Sequence, residues 1–77
     1  MSKWIETEKG LLKTFNFKNK EELHDFIDKV NRISDNDNHH ASFNIMDDLQ
    51  LEVYCFTYDT NSITEKDFHL AQKIDEI

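Results

Sequence analysis

The sequence predicts an α+β fold: one four-stranded antiparallel sheet with two helices packed on one of its faces, in the order β-β-α-β-β-α. Three observations carry this. Short runs alternate apolar with polar residues, two longer runs repeat apolar residues at helical spacing, and turn-forming residues separate them. Strands this short, joined by tight turns, favour antiparallel pairing with the helices gathered on one side, a two-layer sandwich.

The elements follow in order. Trp4-Ile5 and Leu11–Phe17 flank Glu8-Lys9-Gly10, a hairpin turn in which Gly10, the only glycine, supplies a positive φ. Phe15 and Phe17 alternate with Thr14 and Asn16, the period of a half-buried strand. Asn19 then reads as an N-cap, with Glu22 reaching back from the third helical position. Leu23, Phe26, Ile27, Val30 and Ile33 form one apolar stripe, and Ser34–Asn38 ends the helix with residues that bond their own backbone.

Phe43 and Ile45 alternate with Ser42 and Asn44 in a short strand before a turn at Asp47-Asp48. Leu49, Leu51, Val53 and Cys55 alternate with Gln50, Glu52, Tyr54 and Phe56 in the clearest strand of the chain. Its second face turns aromatic at Tyr54, Phe56 and Tyr58, so a partner subunit is expected to cover part of it. After a turn over Asp59–Ser62, Thr64-Glu65-Lys66-Asp67 opens the last helix, whose apolar positions are Phe68, Leu70, Ala71, Ile74 and Ile77.

Composition narrows the class. Seventy-seven residues without proline or repeats are read as a single domain over 1–77. A domain this small buries only about 60% of its unfolded surface, so oligomerisation is the expected source of extra stability. One cysteine excludes an internal disulfide framework and a cysteine-based zinc site. No apolar run approaches the roughly 20 residues of a membrane helix, and Met1–Glu6 lacks a signal-peptide core, so a reduced, cytoplasmic compartment and no membrane are expected. Residues 1–32 carry seven basic and six acidic side chains, residues 33–77 two and ten, which gives +1 and −8 and the net −7. The acidic half argues against direct nucleic-acid binding.

The candidates for chemistry are few. His39-His40 follow a helix at the mouth of a strand, where loops display functional groups, and imidazole exchanges protons near neutrality. Surface histidine pairs without a role are also common. Asp35, four residues before His39, could accept its second N–H. Asp67 reads both as the third-position carboxylate of a capping box begun by Thr64 and as a group beside the pocket. His24 and His69 are read as solvent-facing, and Cys55 as a small buried hydrophobe. Neighbouring residues of an extended segment point opposite ways, so His39-His40 does not read as a metal site.

Taken in order, these features resemble the pterin-4a-carbinolamine dehydratase family, whose animal members double as a dimerisation cofactor of a homeodomain transcription factor. The resemblance lies in Trp4, Phe15-Asn16-Phe17, the Leu23–Ile33 helix, Asp35, His39-His40, Thr57-Tyr58 and Thr64–Ala71, and so spans nearly the whole chain. It departs from the family pattern at Ala41 (usually proline), Ser62 (usually glycine) and Tyr58, where the family has a third histidine. The hairpin at Asp47-Asp48 reads as longer, and the family's extra N-terminal helix is not found.

What the resemblance implies is dehydration of 4a-hydroxytetrahydropterin to quinonoid dihydropterin, with no metal and no organic cofactor. His39 would be the principal acid/base, His40 would bind or protonate the hydroxyl, and Asp67 would orient the pocket. Asp35 would hold an imidazole, while Thr57 and Tyr58 would contact the substrate. A phenol is a poor base at neutral pH, so turnover slower than with histidine is expected. The partners implied are the pterin and further copies of the chain, as homodimer or homotetramer. The alternative is a catalytically impaired member that serves as a pterin- or protein-binding module. The pathway stays open among aromatic amino-acid hydroxylation, folate-related and molybdopterin-related roles.

Overall fold

The computed structural model describes residues 4–47 and 49–77; Met1-Ser2-Lys3 and the Asp48 half of the expected Asp47-Asp48 turn lie outside the described residues. The elements are β1 (Ile5–Thr7), β2 (Gly10–Asn16), α1 (Lys20–Asp37), β3 (Ser42–Met46), β4 (Gln50–Cys55) and α2 (Glu65–Asp75). The strands form one antiparallel sheet in the order β1-β2-β4-β3.

Register sets the two faces of the sheet, because directly paired residues share a face. Leu11 pairs with Cys55, Lys13 with Val53 and Phe15 with Leu51, and across β4 Val53 meets Phe43. This row faces the helices: Leu11, Leu51, Val53 and Cys55 are buried with Leu23 and Val30 of α1 and Leu70, Ala71 and Ile74 of α2. The opposite face carries Ile5, Leu12, Tyr54 and Ser42 in register.

Lys13 stands in the helix-facing row, an unusual place for a charge. Its Nζ lies 2.6 Å from Asp75 Oδ1 and 4.9 Å from the centre of the Phe15 ring. The Trp4 indole N–H also donates to Asp75. The cation is thus neutralised and packed against an aromatic face.

Gly10 adopts φ 123°, as the hairpin reading requires. A Cβ there would run into the Cys55 carbonyl oxygen and lie 2.9 Å from Phe56 Cβ. Asn19 caps α1 by accepting from the Glu22 N–H at 2.9 Å. Glu22 reaches one residue further back than expected, accepting from the Lys18 N–H at 3.2 Å.

One boundary and one helix face differ from the sequence reading. The first helix continues through Ser34 to Asp37 and stops only at Asn38, which takes the left-handed conformation with φ 53°. The reason is burial: Ser34 extends the Val30 stripe by one turn and is wholly buried, and a buried helix face outweighs the turn preference of Asp-Asn side chains pointing outward. In α2 the buried stripe is Asp67, Leu70, Ala71 and Ile74, so Phe68 and Ile77, read as apolar positions of this helix, are 52% and 45% exposed. Asp67 occupies the stripe position that an apolar reading gives to its neighbour.

Cys55 is buried as expected, and desolvation, reinforced by the charges of Asp67 and Asp75, pushes its thiol from 9.0 up to about 12. Among the described residues no helix is long and apolar enough to cross a membrane.

Candidate active site

The end of α1 and the start of α2 meet at one joint. The left-handed Asn38 turns the chain out of α1, and the His39 N–H donates to the Ser34 carbonyl at 3.0 Å, which fixes the backbone from which the imidazole projects. Opposite it, β4 runs into a loop closed by the Thr57–Ser62 bridge, with both backbone bonds made at 3.1 and 3.2 Å. That bridge delivers Thr57 beside Thr64, the N-cap of α2.

At the centre His39 Nε2 lies 2.6 Å from Asp67 Oδ1, with the His39 side chain 13% exposed and Asp67 fully buried. The second carboxylate oxygen, Oδ2, accepts from the Thr57 hydroxyl and from the Thr64 N–H, each at 2.8 Å. Thr57 Oγ1 also lies 2.7 Å from Thr64 Oγ1. Asp67 thus caps α2 with one oxygen and holds the other against the His39 imidazole. A carboxylate only accepts, so a neutral His39 carries its hydrogen on Nε2 and presents the Nδ1 lone pair.

The second pairing is looser. His40 Nε2 lies 2.8 Å from Asp35 Oδ1, with side chains 59% and 73% exposed. Asp35, read from the sequence as a partner for His39, lies instead against His40; His39 is paired with Asp67, whose burial excludes competing water. Thr57, expected to contact substrate, is buried with its hydroxyl engaged by Asp67 and Thr64. Tyr58 is 69% exposed, and its hydroxyl sits 3.4 Å from Ser42 Oγ, a long contact.

A cavity of about 370 Å³ opens at this joint, with His39, His40, Ser42, Tyr58 and Lys66 among its lining. Ser42 and Lys66 were not singled out from sequence. The signal for Lys66 is positional: it precedes Asp67 in the first turn of α2, and so its backbone lies at the mouth of the cavity. Among the described residues no group of three or more His, Cys, Asp or Glu side chains is placed to hold a metal ion.

A family model described as pterin 4 alpha carbinolamine dehydratase matches residues 1–77. The chain belongs to that family. A protein of Sulfolobus acidocaldarius provisionally named pterin-4-alpha-carbinolamine dehydratase is 37% identical over 75 residues, 96% of this chain and 80% of its own length. One of Sulfurisphaera tokodaii under the same provisional name is 40% identical over 65 residues, 84% of this chain and 69% of its own. The crystal structure of the transcriptional coactivator/pterin dehydratase from Brucella melitensis matches with a TM-score of 0.84 at 20% identity, over 95% of this chain and 79% of that one. At that identity the likeness concerns the fold, which is the pterin dehydratase fold.

Proposed function

We propose that this member of the pterin-4a-carbinolamine dehydratase family removes water from 4a-hydroxytetrahydropterin to give quinonoid dihydropterin, with His39 as the proton acceptor. The observation that carries the reading is the His39–Asp67 pair: a buried carboxylate orients one ring nitrogen and leaves the other free at a cavity. The reaction needs a base for the N5 proton and a proton for the departing C4a hydroxyl. His39 Nδ1 takes the N5 proton, and the Asp67 carboxylate stabilises the resulting imidazolium. Thr57 acts through Asp67, holding the carboxylate in place, while His40, tethered to Asp35 at the rim, binds the hydroxyl. Tyr58 contributes a hydrogen bond to the ring system in place of an imidazole.

We further propose that residues 1–77 act as one domain and assemble as a homodimer or homotetramer. The half-buried Tyr54 and Phe56 and the exposed Ile5 and Tyr58 on the outer sheet side support that reading. A second functional reading, a pterin- or protein-binding module without efficient turnover, is favoured by Tyr58 alone. The deciding experiment is the rate of 4a-hydroxytetrahydropterin dehydration above the spontaneous background, for wild type and His39→Ala. Acceleration lost with His39 is the expected result. A folded wild-type chain that gives none overturns the enzyme reading and turns attention to binding.

A further inference from the structure

His39 borders two cavities. Besides the one it shares with His40 and Tyr58, a second of about 350 Å³ is lined by Asp37, His39, Glu65, Lys66 and His69. Lys66, like His39, lines both, so the two spaces adjoin at the imidazole. His69 sits one turn after Lys66 on α2, and this i, i+3 spacing puts both on the same side of the helix. Its ring makes no hydrogen bond or ion pair among the described residues, so both nitrogens are available. His40, by contrast, has Nε2 tied to Asp35 at the exposed rim.

We propose that His69 is a second catalytic residue, supplying the proton that the departing hydroxyl requires from across the cavity facing His39. This rests on the dehydratase reading above. His69 as imidazolium gives its proton to the C4a hydroxyl, the C4a–O bond breaks and water leaves. The N5–H electron pair becomes the second bond of C4a=N5 as His39 Nδ1 takes that proton. One proton enters from His69 and one leaves to His39, nothing is oxidised or reduced, and both rings reset through solvent. The imidazole missing at Tyr58 is thereby supplied from α2. The charged groups facing His69 are Glu65 and Lys66 on its own helix, and Asp37, itself held by Lys73 at 2.7 Å, and His39 from the end of α1.

The test is the pH dependence of dehydration kinetics for wild type, His69→Gln and His69→Asn. His24→Gln, an exposed imidazole elsewhere on α1, is the control, and melting curves verify the fold of each variant. A general acid contributes on the order of 10²-fold or more, so kcat should fall by that factor with KM changed by less than about twofold and the alkaline limb of the profile altered. A variant that raises only KM, or keeps both kcat and the profile, overturns the assignment while leaving the dehydratase reading intact. A wild-type chain without acceleration overturns both.

Discussion

Replacing Thr57 by valine removes one hydroxyl and almost no volume, and its consequence can be worked out from the bonds it makes. Thr57 is 5% exposed, and its hydroxyl donates to Asp67 Oδ2 at 2.8 Å. A hydrogen bond to a charged group contributes about 1.5–3 kcal/mol. In the variant Oδ2 keeps the Thr64 N–H, while Thr64, only partly buried, can turn its hydroxyl to water. We therefore expect a loss of about 2 kcal/mol, against a total of about 4–12 kcal/mol for a domain of this length. The melting temperature should drop by about 8–16 °C. Thr57→Ser, which keeps the hydroxyl and loses one methyl, should cost only about 1 kcal/mol. Thermal and urea unfolding measure both variants, and dehydration kinetics below the transition should show a lower kcat for Thr57→Val than for Thr57→Ser. If valine is tolerated as well as serine in both assays, the argument that Thr57 holds the Asp67 carboxylate is wrong.

Other expectations follow from single features. Ser34 Oγ is buried with no hydrogen-bond partner among the described residues, so Ser34→Ala should raise the melting temperature, by roughly 1–2 kcal/mol of stability; a lower value would reveal a partner for the hydroxyl. Gly10→Ala combines a positive φ with a clash against the Cys55 carbonyl, and should cost about 1–3 kcal/mol or more in urea unfolding. An unchanged midpoint would show that the hairpin relaxes freely. The raised Cys55 thiol stays protonated in the folded chain while the unfolded chain releases its proton. Its contribution is complete below pH 9 and lost as pH rises from 9.0 towards about 12. Wild-type stability should therefore fall across that window by up to about 1.4 kcal/mol per pH unit relative to Cys55→Ala. Parallel pH profiles for the two proteins would contradict the assignment.

Much of the fold was legible because its signals are local. The alternation in β4, the stripe of α1 and the caps at Asn19 and Thr64 each lie within a few residues. The length of α1 was not legible, because Ser34 reads as a turn former until its burial against the other layer is known. Nor was the exposure of Phe68, since nothing local says that Asp67 takes the buried position. The site follows the same rule. His39, His40 and Asp67 stand out by residue type, but their pairing does not. Asp35 and Asp37 both lie within four residues of His39 in sequence, and the partner chosen in space is 28 residues away. His69, ordinary among charged helical neighbours, gains its interest only when α2 is laid against the end of α1.

That 28-residue span has a consequence for how the protein acquires function. The imidazole stands on the link just after the first helix, its orienting carboxylate belongs to the second, and β3 and β4 lie between them in sequence. No chain on which the second helix has yet to dock can hold the ring, however complete the sheet beneath it. Recovery of an oriented His39 during refolding is therefore a clock for the final closure of the molecule, and nothing the ribosome has half-released can possess it.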